Sequence, residues 1–131
     1  MPGNVVDASA LAAVIFDETG AEPVIAMVQG ALHAPTLLRY ELASVCTSKI
    51  RQNPGRAVEI HGHHRLLDQL RISLHEPDWA ALPTLAVSHS LSAYDAAYLQ
   101  LAVKLGAPLI TLDAKLAKAY DTLAGGSSAR R

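Results

Sequence analysis

Apolar positions along the chain alternate between short runs that suit a buried strand and longer stretches with a helical repeat, the pattern of an α/β domain with a largely parallel sheet. A first strand is predicted at Asn4 to Val6, followed by a helix that opens at Asp7-Ala8-Ser9 and runs to Ile15. Thr19-Gly20 breaks it, and a second helix is expected from Glu22 to Gln29, ending at Gly30. Leu32-His33-Ala34 suits a short second strand. Pro35-Thr36 stops that strand and starts a long helix from Leu37 to about Gln52, with Thr36 as its N-cap. Asn53-Pro54-Gly55 is a turn signal, Arg56 to Leu70 a further helix, and Arg71 to His75 a third strand. Pro77 and Pro83 bracket an irregular stretch around Trp79, and a helix follows near Thr84 to His89. Ser92 then precedes a helix from Ala93 to Leu105 that Gly106 closes. Pro108 to Leu112 is the clearest strand of all, and Ala114 to about Leu123 is the last helix.

These elements fill one domain over residues 1–123, with a flexible small-residue and basic tail over 124–131. Half of the 131 residues are apolar. No apolar run reaches the roughly 18 residues that a membrane span needs, and the first residues lack the basic and cleavage-site features of a secretory leader. A cytoplasmic protein without membrane contact is expected. The net charge of −1 supplies no overall footprint for a polyanion, so any nucleic-acid contact must come from a local patch. The single cysteine, Cys46, sits in a run suited to a buried helix face and serves as a packing residue.

Against this frame four acidic residues stand out, because each falls where a strand ends, a helix begins or a helix turns an apolar face inward: Asp7, Glu41, Asp95 and Asp113. Asp7 and Asp113 follow strands and open helices, so each can be an ordinary N-cap. Asp95 stands three residues after Ser92, as in a capping box. Glu41 is harder to explain this way, since Leu37, Leu38 and Val45 place it on or beside the inward stripe of its helix, where a carboxylate needs a partner. In a parallel sheet, however, strand ends and the starts of the following helices share one edge, where ligands bind. All four acids are predicted at that edge. Like charges so gathered repel unless a cation compensates. An all-oxygen set suits Mg²⁺ or Mn²⁺, and such a site can activate water for attack on a phosphodiester.

At these residues the chain resembles the PIN-domain ribonucleases, most closely the VapC toxins of toxin–antitoxin pairs. The matching pieces are Val5-Val6-Asp7-Ala8-Ser9-Ala10-Leu11, Pro35 to Ala43 around Glu41, Leu91 to Tyr98 around Asp95, and Pro108-Leu109-Ile110-Thr111-Leu112-Asp113. The resemblance spans nearly everything up to Leu123, and the set is specific by its order and spacing. It implies a three-layer α/β/α fold whose central parallel sheet has four strands, with a fifth left open. Relatives carry a final apolar strand where this chain turns small, polar and basic from Ala124, so a reduced fifth strand would fall around Tyr120 to Leu123. The resemblance further implies metal binding by Asp7 and Asp95 most directly, with Glu41 and Asp113 direct or through water, and support from the hydroxyls of Ser9 and Thr111. The implied activity is RNA hydrolysis to a 3′-hydroxyl and a 5′-phosphate. The implied partners are an RNA substrate, a VapB-like antitoxin that blocks the site, and a second copy of the chain. A catalytically inactive PIN-like binding module, or a PIN nuclease outside toxin–antitoxin systems, remains the alternative. A receiver-type phosphoacceptor fits poorly, because the third strand ends in Leu74-His75 with no acceptor Asp.

Arg39, Lys115 and Lys118 flank two of the acids and are candidates for RNA phosphate contacts, with a plain charged helix surface as the alternative. His61, His63 and His64 lack matching ligands and suit a solvated helix face. Tyr40, Tyr94 and Tyr98 are candidates for base stacking or partner contact, or for packing.

Overall fold

The structure, a computed structural model, describes residues 3–16 and 30–124. Four strands, β1 (Asn4–Val6), β2 (Leu32–Pro35), β3 (Ile72–His75) and β4 (Leu109–Ile110), form one parallel sheet in the order β3-β2-β1-β4. Six α-helices are described: α1 (Ala8–Ile15), α2 (Leu38–Gln52), α3 (Ala57–Arg65), α4 (Leu82–His89), α5 (Ala93–Leu105) and α6 (Ala114–Leu123). From β1 the chain steps outward through β2 to β3, then returns across the sheet to β4. Right-handed crossovers therefore put α1 to α3 on one face and α4 to α6 on the other. Packing follows the same division, with α1 against α2, α2 against α3, α4 against α5, and α5 against α6 and the strands β1, β2 and β4. This is the expected three-layer α/β/α architecture.

Helices cover the sheet on both faces, so the apolar residues of its strands are buried from both sides. Val5, Val6, Ala34 and Ile110 are buried at its centre. Against them lie Leu11 and Ile15 from α1, Leu38 and Leu42 from α2, and Tyr98, Leu99 and Ala102 from α5. Cys46 is buried on α2, and burial pushes its thiol pKa up. Two glycines answer to backbone demands. Gly106 ends α5 in the left-handed region at φ 62°, and Gly3 enters β1 at φ 93° with its α-carbon so close to the Ala31 carbonyl that a β-carbon would stand 2.2 Å from that oxygen.

Four expectations need correction. The clearest strand is the shortest: β4 pairs with β1 alone, through Val5 with Leu109 and Val6 with Ile110, and the ladder ends where Asp7 leaves the sheet. Thr36 does not cap α2. Leu37 holds the cap position without a side-chain bond, and the Thr36 hydroxyl donates to Glu76 Oε1 at 3.1 Å. The helix expected over 56–70 is split into a 3₁₀ turn at Pro54–Arg56, α3, and a second 3₁₀ turn at Leu66–Gln69, the tighter winding letting Leu67 pack on the core. Pro83 does not delimit α4 but sits in its first turn, where a missing N–H costs nothing, so the helix starts at Leu82. A reduced fifth strand at Tyr120 to Leu123 is also absent, since those residues belong to α6 and the Tyr120 hydroxyl donates to the Ala107 carbonyl at 2.9 Å. The break at Thr19-Gly20, the helix expected at Glu22 to Gln29 and the tail beyond Ala124 lie outside the described residues. No helix among the described residues is long and apolar enough to cross a membrane.

Candidate active site at the carboxyl edge of the sheet

Four acids stand together at one end of the domain. Asp7 follows β1 and caps α1; Asp113 follows β4 and caps α6; Glu41 stands in the first turn of α2; Asp95 stands in the first turn of α5 behind the Ser92 cap. All four line one pocket of about 370 Å³, together with Ser9, Ser44, Val45 and Tyr98.

Asp7 is the centre of the hydrogen bonding. It is the one fully buried charged side chain among the described residues, 4% exposed. Its Oδ1 accepts from the Ala10 N–H at 2.9 Å and the Ser9 hydroxyl at 2.8 Å, and its Oδ2 accepts from the Thr111 hydroxyl at 2.5 Å. Thr111 Oγ1 accepts in turn from the Asp113 N–H at 2.9 Å, and Ser9 Oγ from the Leu112 N–H at 3.1 Å. The hydroxyls therefore tie the end of β1 to the end of β4. Capping and site formation coexist, because Asp113 Oδ1 accepts from the N–H groups of Lys115 and Leu116 at 2.9 and 3.2 Å.

Glu41 has the partner that its inward position demanded. The buried Tyr98 hydroxyl donates to Glu41 Oε1 at 2.6 Å, leaving Oε2 for the pocket. Sequence reasoning missed this role for Tyr98. The one available signal was its place three residues after Asp95, on the same face of α5.

The electrostatics match a site short of positive charge. Burial raises the Asp7 pKa despite its three hydrogen bonds, and Asp113 adds to the rise. Burial also raises Glu41, with Asp95 and Asp7 contributing while the Tyr98 bond opposes. Asp95 is raised by burial, then by Asp113 and Asp7, with Ser92 and Lys115 opposing. The Tyr98 phenol is pushed far above its ordinary value, first by burial and then by Glu41, so it stays a donor. Lys115 supplies the opposing charge at Asp95, and its Nζ donates to the Ser90 carbonyl at 3.1 Å.

Carboxylates and hydroxyls are the donor set of a hard divalent ion. Among the described residues no three His, Cys, Asp or Glu side chains converge tightly enough to form a cage for an ion. The fit is therefore to an ion that takes one or two carboxylates directly and keeps several waters, which is the habit of Mg²⁺. His61, His63 and His64 form no such group either. Of the basic candidates, Arg39 lines a separate small hollow with Leu67, Leu70 and Leu74, and Lys118 is exposed on α6 outside the acidic pocket.

Tyr98→Phe tests the support of Glu41. Loss of the hydroxyl leaves a half-buried carboxylate without its donor, a cost of about 1–3 kcal/mol, visible as a lower melting temperature. In a Glu41→Ala background, which has no acceptor for the hydroxyl, the same change should cost much less. Equal losses in both backgrounds would show that the bond does not stabilise the fold.

A sheet of this topology with an acidic pocket at its carboxyl edge agrees with a family assignment made independently. The PIN domain family model matches residues 5–121, and the chain belongs to that family. It is 34% identical over 125 residues to Ribonuclease VapC3 of Pyrobaculum aerophilum, covering 91% of this chain and 95% of that one. The crystal structure of PAE2754 from the same organism shares the fold, with a TM-score of 0.73 at 23% identity over 93% of this chain and 92% of that one.

Proposed function

We propose that the chain is a metal-dependent endoribonuclease of the VapC type, the toxin of a toxin–antitoxin pair, with Asp7, Glu41, Asp95 and Asp113 as its catalytic and metal-binding set. The observation that carries this reading is the convergence of the four carboxylates, each from a different helix start, on one pocket. The name of the VapC3 relative supports the ribonuclease activity and the toxin class.

A Mg²⁺ or Mn²⁺ ion, when bound, supplies a water of lowered pKa and charge stabilisation for the leaving oxygen. The chain's own part is positioning. Ser9, Thr111 and the Ala10 N–H hold the Asp7 carboxylate in one rotamer, and Tyr98 does the same for Glu41. Asp95, which lines the same pocket, would hold the ion together with Asp7. Hydrolysis in this pocket would add water to phosphorus and release the 3′ oxygen as a hydroxyl, leaving a 5′-phosphate. Ser9 and Thr111 are supporting residues, and Lys115, whose charge acts on Asp95, is the basic candidate for an RNA phosphate.

The same proposal includes a VapB-like antitoxin, action in the cytoplasm, one domain through residue 123, and a homodimer. An apolar hollow of about 600 Å³ among α4, α5 and α6, lined by Leu85, Val103 and Leu123, supports the last of these as a surface for a second copy. Single-stranded RNA should be cut by the wild-type chain with Mg²⁺ or Mn²⁺, and not with EDTA or by Asp95→Asn. Cleavage that survives both treatments removes the proposal.

A further inference from the structure

Beside the acidic pocket lies a second hollow of about 450 Å³ that the chemistry above does not use. Its walls include the rings of Tyr40, Trp79 and Tyr94. All three rings are open to solvent, at 79, 70 and 64% exposure, so packing within the domain does not explain them. Tyr40 directly precedes Glu41, and Tyr94 directly precedes Asp95. The rings and the carboxylates thus leave the same first turns of α2 and α5, about 100° apart around each helix axis. The two pockets share these helix starts as a common wall.

The third ring is held in place from below. Trp79 Nε1–H donates to Glu76 Oε2 at 2.7 Å, and Glu76 Oε1 accepts from Thr36 at 3.1 Å. An exposed indole fixed by its one polar atom offers a flat face at little entropic cost. Leu37 and Pro77 complete the walls. We propose that this hollow is a base-stacking subsite for a nucleotide that flanks the scissile phosphate of single-stranded RNA. The inference rests on the ribonuclease reading for its substrate. It is favoured over a protein partner because the walls are planar π faces next to the acidic site, whereas the aliphatic surface suited to protein lies among α4, α5 and α6. Every base has a face to stack, and each such contact is worth about 5- to 150-fold in affinity.

Trp79 is the single tryptophan of the chain, so its emission reports on this hollow alone. Asp95→Asn protein with Mg²⁺, titrated with a single-stranded RNA of about ten nucleotides, should show quenched emission. Replacing one base at a time by an abasic residue should reveal one position where affinity falls about tenfold. Adding Tyr94→Ala should erase that position-specific loss, and Tyr94→Phe should restore it. Tyr94 is exposed, and melting curves check that each variant folds. A flat abasic scan, or a loss unchanged by Tyr94→Ala, overturns the subsite. So does emission that responds to protein concentration alone or to an antitoxin peptide but not to RNA, which would make the hollow a protein-docking face. The two readings separate cleanly. Position-specific stacking without cleavage by the wild-type protein leaves the subsite and removes the nuclease, whereas cleavage with a flat scan does the reverse.

Discussion

Asp7→Asn is expected to lower metal-dependent RNA cleavage on the order of 10³-fold while raising the melting temperature of the metal-free protein by a few degrees. The opposite signs follow from one carboxylate. In the variant, the amide oxygen replaces Oδ1 and still accepts from Ala10 N–H and the Ser9 hydroxyl, so the cap of α1 survives. The amide nitrogen replaces Oδ2 and faces Thr111 Oγ1, whose hydroxyl can turn its proton toward Ser9 Oγ, 3.4 Å away. Every hydroxyl and backbone N–H that now meets Asp7 keeps a partner. Burial raises the Asp7 pKa, which means the folded state pays for this charge, and the amide removes that penalty. The amide also takes an anionic oxygen out of the proposed metal site. Cleavage assays beside melting curves check both signs, and a variant that is inactive because it melts early would contradict the account.

Divalent metal should stabilise the protein by an amount that shrinks as pH falls. At a concentration of 100 times its Kd, a bound ion adds about 2.7 kcal/mol. The carboxylates of Asp7, Glu41 and Asp95 all have raised pKa values in the folded state, so the folded protein takes up protons before the unfolded one does. Their destabilisation is fully present above the raised values and is relieved as pH falls through them, ending near the ordinary values of 3.8 for Asp and 4.5 for Glu. Protons and metal compete for the same oxygens, so the difference between metal-bound and metal-free melting temperatures should close over that window. The metal-free curve alone is a poor test. His75 has a lowered pKa, chiefly through burial and then through His33 and Lys104, and its contribution is lost as pH falls. It is common to both curves and cancels in their difference. A gap that stays constant across the window would place metal away from these carboxylates.

Much of the fold was legible because local signals agreed with the tertiary outcome. β1, α5 and α6 match their expected bounds, since Asp7, Ser92, Gly106 and Asp113 are caps whose chemistry does not depend on distant residues. Errors arose where a partner decides. The apolar run Pro108 to Leu112 is long enough for a strand, but an edge strand extends only as far as its neighbour, and β1 ends at Val6. Thr36 looked like a cap until Glu76, forty residues away, took its hydroxyl. The four acids could be placed at one edge from topology alone. The hydroxyls of Ser9 and Thr111 came with the resemblance, but the support of Glu41 could not be read, for Tyr98 and Glu41 are 57 residues apart and nothing local links them.

The bonds from Thr111 to Asp7 span 104 residues of sequence, and the pocket needs Asp113 as well. During synthesis, then, the first strand and its acid emerge long before the residues that orient them. A ribosome making this chain carries an incomplete acidic pocket until Leu109 and Ile110 are free to pair with β1 and bring Thr111 and Asp113 to Asp7. Latency is thereby written into the order in which the site is assembled, and a nuclease of the proposed kind would gain its full acid set only once most of the chain has been released to fold.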